Sequence, residues 1–205
     1  MTEIPLFPLG STLFPAGVLH LRIFEVRYLD MVKRCIAEGS SFGVVALYAG
    51  GEVRAPHGGE VLSPAGTLAC ITQWEAPAPT LYQLTCTGST RFRLLRSWQA
   101  KYGLWMGEVA WLPDDPVEEI PAELQPSADA LGRLIAGMQQ QGVPSAQMPL
   151  APPFRLDECA WVANRWCELL PLPATEQVHL LELSDPVERL RAVHALLSGM
   201  LPPQA

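Results

Sequence analysis

Within the stretch LHLRIFEVRY (19–28), Arg22, Glu25 and Arg27 put three charges into an otherwise apolar passage. A carboxylate left unpaired in a pocket beside a nucleophile or metal does acid–base chemistry. The same carboxylate bridged by guanidinium groups is a structural joint. A second charged stretch, TRFRLLRSW (90–98), sets Arg91, Arg93 and Arg96 near Phe92 and Trp98. Cations interleaved with aromatic rings suit single-stranded nucleic acid. In a strand, however, Arg91 and Arg93 share the face opposite Phe92 and Leu94, which is the pattern of a solvent-facing edge. Six tryptophans are many for the length. Core packing explains most of them; one or two lining a groove would suit a peptide-binding surface, with Trp74 and Trp98 as the candidates beside Arg22 and Arg93.

Several chemistries lack their residues. A phosphate-binding loop needs Gly-Lys-Ser/Thr ahead of a helix, and neither Lys33 nor Lys101 follows a glycine. The Gly pairs at 50–51 and 58–59 flank a polar hairpin and read as loop flexibility. No G-x-S-x-G elbow is present, and Ser40-Ser41 falls between a helix end and a strand, where turn chemistry accounts for it. His20, His57, His179 and His194 are far apart, and His194 reads as a satisfied residue on the inner side of the last helix. The five cysteines (Cys35, Cys70, Cys86, Cys159 and Cys167) form no CxxC pair and no zinc spacing, so buried reduced thiols are expected. From the motifs, no catalytic residue, metal site or cofactor is expected.

The elements that must position these residues divide near Asp114-Asp115-Pro116. Before it, short β-like runs recur at 42–48, 66–74, 81–88, 90–98 and 104–112, separated by Gly, Pro or polar turns, as in a small barrel. One helix interrupts them. LHLRIF alternates as a strand, and from Val26 to Glu38 the period lengthens to a helix that Gly39 terminates. Glu25 falls at the helix start, where the dipole favours a carboxylate, with Arg22 or Arg27 as its partner.

After Pro116 the periodicity is helical. Leu131, Leu134, Ile135 and Met138 form one stripe; Val162, Trp166, Leu169 and Leu170 another. A short helix is expected over Glu176–Leu183. A last helix opens with Asp185 as cap and Pro186 at its first position, and buries Leu190, Val193, Leu197 and Met200 or Leu201. Such stripes predict a small bundle that packs on itself and on the β half.

Composition supports a folded protein: 49% hydrophobic and 17% charged over 205 residues. Apolar runs stop short of a membrane helix, and MTEIPLFPLG lacks the basic region of a signal peptide, so a cytoplasmic location is expected. The net charge of −7 is uneven: residues 1–115 carry nine cations and ten acids, residues 116–205 five and eleven. That balance disfavours nucleic acid as a partner.

The run from Pro5 to Val45, PLFPLGSTLFPAGVLHLRIFEVRYLDMV followed by FGVV, resembles the N-terminal domain of Lon proteases, especially its stand-alone bacterial relatives. Glu52-Val53, GTLACITQWE, TGSTRFRLL and LLELSDPVERL extend the likeness over almost the whole chain. Family members often carry Pro at the positions of His20 and Val26 and Gly at that of Ala16. The resemblance implies an α+β fold: a PUA-like β-barrel with one inserted helix over residues 1–115, followed by a helical bundle over 116–205. Phe24, Glu25, Arg27 and Tyr28 are its signature positions, expected to hold the strand–helix joint with Phe24 and Tyr28 packed. In full-length Lon this region serves substrate recognition and assembly, so the implied function is a non-enzymatic protein- or peptide-binding module, recruiting clients or acting as an adaptor in protein quality control. The rivals are RNA binding and a hydrolase whose Cys or His is assembled by folding. The oligomeric state is not legible.

Overall fold

A computed structural model describes residues 2–50, 59–143 and 148–200, with Met200 described by its backbone alone. Six strands and five α-helices run in the order β1 (Thr2–Leu9), β2 (Val18–Ile23), α1 (Val26–Glu38), β3 (Phe42–Ala49), β4 (Val61–Ala78), β5 (Leu81–Gln99), β6 (Trp105–Trp111), α2 (Gln125–Gln140), α3 (Cys159–Leu169), α4 (Ala174–Glu182) and α5 (Pro186–Met200). The fold is mixed α+β. Among the described residues, no helix is long and apolar enough to cross a membrane. Most of the hairpin AGGEVRAPHGG, with Glu52 and His57, lies outside the described residues, as do part of the Pro-rich stretch at 144–147, the Met200 side chain and Leu201.

The sheet runs β2–β5–β4–β3–β1–β6, and β6 pairs again with β5, so the pairings β5–β4–β3–β1–β6 return to their start. β1 and β3 are parallel; the other pairs are antiparallel. β5 makes this possible by its 19-residue length. On one flank it pairs with β4; on the other it pairs first with β2 (82–87) and then with β6 (92–99). The runs 81–88 and 90–98, expected as separate strands, are therefore one. Gly88 at the supposed break is no turn: a Cβ there would stand 2.2 Å from the Phe14 carbonyl oxygen, so glycine admits the close approach of the β1–β2 connection. β1 was not legible as a strand, because Pro5 and Pro8 interrupt its pattern; both lie in register with neighbours, at Met106 and Val45.

α1 has the bounds its periodicity predicts. Gly39, at φ 63°, ends it and donates its N–H to the Cys35 carbonyl. Tyr28, Leu29, Met31, Val32 and Cys35 on its inner face pack with Phe7, Leu21, Ile23, Leu84 and Leu104 in the largest core. A second core lies among the helices, built from Leu131, Ile135, Trp161, Val162 and Leu190. A third joins helices to sheet: Phe14, Ala46 and Ala65 meet Cys167, Leu170, Val178, Leu181 and Val193. Leu134, expected in the α2 stripe, is 40% exposed, because the buried face of α2 runs through Ser127, Ala128, Leu131 and Ile135. Asp185 caps α5 as expected, its Oδ1 accepting the Val187 and Glu188 N–H groups at 2.8 and 3.3 Å.

Candidate functional site

The charges of the strand–helix joint are largely consumed in structure. Arg27, 4% exposed, reaches Glu25 Oε2 through Nε at 3.1 Å and Glu60 Oε1 through Nη1 at 3.5 Å. Its Nη1 also donates to the Gly103 carbonyl at 3.5 Å, and its Cζ lies 4.6 Å from the Tyr28 ring centroid. Glu60 in turn accepts a short hydrogen bond from Trp105 Nε1. One guanidinium thus ties α1, the start of β4 and the β5–β6 turn. Tyr28 is packed as expected, its ring centroid 4.2 Å from that of Phe7. Phe24 is not: it is 59% exposed, since it leaves β2 where the core has ended and the chain turns into α1. Arg22 is exposed and pairs with no carboxylate among the described residues, so Arg27 alone bridges Glu25.

Two further ionic centres were not expected. Arg91, predicted at a solvent edge, is 3% exposed. Alternation placed it correctly opposite Phe92, but α4 and the strap after β6 cover that face. Its Nη1 donates to the Leu181 and Leu183 carbonyls at 2.8 and 2.7 Å; its Nη2 meets Pro113 O and Asp115 Oδ1 at 3.1 and 2.6 Å. Asp115 also accepts from both Nη atoms of Arg189, at 2.6 and 3.0 Å. Burial and the neighbouring Arg189 draw the Arg91 pKa below its ordinary value, and Asp115 opposes them. In the third centre, Glu168 accepts the Phe14 N–H at 3.0 Å and pairs with buried Arg165 at 3.2 Å. Burial raises the Glu168 pKa to about 7, against the opposing pull of Arg165 and of the Phe14 N–H. A signal for Arg91 and Arg189 was present in the sequence only as charge inside hydrophobic periodicity.

The remaining cationic candidates disperse. Arg93 is exposed and faces Glu182 at 3.8 Å; Arg96 pairs with Glu108 at 3.3 Å and lies 5.2 Å over the half-buried Trp98 ring. Nucleophiles fare similarly. Burial lifts the thiols of Cys35 and Cys159, and pushes Cys86 and Cys167 up to about 12, away from the reactive thiolate. His194 Nδ1 is 2.8 Å from Ser127 Oγ, but Ser127 is 2% exposed and the contact links two packed helices. No group of three or more His, Cys, Asp or Glu among the described residues is placed to hold a metal ion.

Arg22 and Trp74 stand on neighbouring rows but on opposite faces of the sheet: Trp74 pairs with Leu84 and Leu84 with the buried Leu21, while Gln73 and Glu75 on either side of Trp74 share the face of Arg22. On that face Arg22, His20, Gln73, Glu75 and Gln83 line a depression of about 750 Å³ on β2, β5 and β4. Register makes its floor: Arg22 pairs with Gln83 and Gln83 with Glu75, forming one cross-strand row; His20, Thr85 and Gln73 form the next. Beyond this polar floor the β4–β5 hairpin continues as an arm, exposed at residues 72–77 and at its turn, 79–80. Trp74, 50% exposed, sits on it with its ring 6.1 Å from that of Tyr82. Tyr82 pairs with Ile23, so Phe24 emerges at the same end of the sheet, followed by the exposed Val26. The arm therefore carries a polar shelf on one face and, on the other, the exposed Trp74 with Tyr82, close to where Phe24 leaves β2.

A family model described as the ATP-dependent protease La (LON) substrate-binding domain matches residues 3–199. Among solved structures, the chain is similar to a Lon N-terminal domain protein from Xanthomonas campestris, at 33% identity and a TM-score of 0.74, over 98% of this chain and 100% of that one. It shares its fold, at 16% identity and a TM-score of 0.56, with the N-terminal domain of the Mycobacterium avium complex Lon protease, over the same shares of the two chains. Among curated proteins none matches.

Proposed function

The chain belongs to the family of the ATP-dependent protease La (Lon) substrate-binding domain, and from that premise we propose that it binds polypeptides at the exposed end of its β4–β5 arm. Its partners on this reading are unfolded client segments or a partner protein, and its role is client recruitment or an adaptor's part in quality control. We read the ring of strand pairings as a PUA-like barrel, residues 1–115 as one subdomain and 116–205 as a helical second. The observation that carries the proposal is the grouping of exposed Phe24, Val26 and Trp74 at one end of the sheet. Large apolar side chains at such exposure contribute little to the core, while aromatic anchors dominate binding surfaces.

Fluorescein-labelled, carboxymethylated α-lactalbumin, which stays unfolded, tests this by anisotropy titration. Trp74→Ala and Phe24→Ala should each weaken binding roughly five- to tenfold, while Arg93→Ala leaves it unchanged. Equal affinity in all four proteins would refute the assignment of the site.

A further inference from the structure

The strands of the ring are paired on both flanks: β1 by β3 and β6, β3 by β1 and β4, β4 by β3 and β5, β6 by β1 and β5. β2 lies outside the ring. Among the described residues it pairs along one flank, with β5, and its other flank carries no strand. In an antiparallel pair, alternate residues turn both N–H and C=O toward the partner and the residues between turn them away. Half of the six β2 residues therefore direct their backbone groups to the open side.

Open edges are ready-made templates for another strand, and proteins blunt them with charge, proline, bulges or a covering loop. β2 has neither proline nor register shift; its guards are the exposed His20 and Arg22. Arg22 is a weak guard with a further property. Exposed Arg93, Arg96, Arg155 and Arg191 each have a carboxylate within 4 Å; Arg22, like Arg34 and Arg133 on helices, has none among the described residues, and of these three only Arg22 stands on a strand. It heads the row Arg22–Gln83–Glu75, which a strand added to β2 would lengthen by one residue. A carboxylate there would complete the row. The edge also runs directly into the exposed Phe24.

We infer that β2 takes an extended segment of an unfolded polypeptide as an added strand, held by main-chain hydrogen bonds, with an acidic side chain opposite Arg22. This rests on the polypeptide-binding reading and specifies its mode. Main-chain recognition accepts many sequences, and alternate side chains set the preference.

The test uses the full chain and fluorescein-labelled ten-residue peptides of alternating Val and Thr with one central Glu. Two derivatives carry backbone N-methyl groups on alternate residues, one in each register. Methylation in one register should weaken binding at least tenfold and in the other less than twofold, because half of the peptide N–H groups face β2. Arg22→Glu should lose affinity for the Glu peptide about fivefold and recover it toward the peptide with a central Lys. Equal effects of the two methylated registers would overturn the inference, and so would an Arg22→Glu protein blind to peptide charge. Binding of carboxymethylated α-lactalbumin with Trp74 dependence but no peptide binding would overturn it while leaving the polypeptide-binding reading in place. Binding of neither would remove both.

Discussion

Asp115 is one carboxylate serving two buried guanidinium groups, Arg91 and Arg189, whose side chains are 2% and 0% exposed. Carbonyls of Leu180, Leu181, Leu183 and Pro113 and the Asn164 side-chain oxygen take up other N–H groups, so the anion is what separates two like charges. Breaking a buried ion pair from one side costs about 3–5 kcal/mol. Asp115→Ala should lower stability by that much in urea unfolding, and Asp115→Asn, which keeps an acceptor, by less. Glu168 makes a different prediction. Its folded pKa, about 7, stands above its ordinary 4.5, so the folded state holds the proton more tightly. Its contribution is complete below about pH 4.5 and is lost as pH rises through 7. Relative to Glu168→Gln, the wild type should lose stability between pH 5 and 8, by no more than about 3 kcal/mol. Parallel unfolding curves of the two proteins across that range check it.

At the scale of elements, the turn into β2 carries strain. Ala16 adopts φ 61°, and its N–H is fixed to the Gly88 carbonyl at 2.8 Å. A side chain there costs roughly 1–2 kcal/mol, partly offset by the greater freedom glycine has when unfolded. Ala16→Gly should therefore raise stability by about 0.5 kcal/mol, read as a small upward shift in Tm. The elements themselves were unevenly legible. α1 was readable to its ends because its period is local and Gly39 stops it. The continuity of β5 was hidden, because the glycine that looks like a turn answers to Phe14, a residue 74 positions away. Arg91 departs from its expected exposure for a related reason: alternation gives its side of the strand, but whether that side is wet depends on where α4 docks. For the site, residue types flagged Arg22 and Trp74, while the register of three strands decides that they take opposite faces of the sheet. Phe24 is expected inside because the family resemblance makes it a signature position of the joint; nothing local reveals that the core ends one residue earlier.

Across the whole molecule, one of the cores joins sheet to helices. Phe14, Ala46 and Ala65 are covered by helical residues, and Arg91 finds its acceptors on the far side of that contact. A fragment of residues 1–115 should therefore lose the fixed near-ultraviolet dichroism of its tryptophans, and the intact chain should unfold in a single transition coincident by fluorescence and far-ultraviolet dichroism. The long hairpin of β4 and β5 adds a mechanical consequence. Tension applied at the tip would load the two strands lengthwise, so many cross-strand bonds would resist together instead of parting one by one. The tension travels down β5 to Arg91, where the guanidinium is bolted to the end of α4 and to Asp115. The tip of the hairpin and the helices would thus be joined mechanically through a single ionic centre.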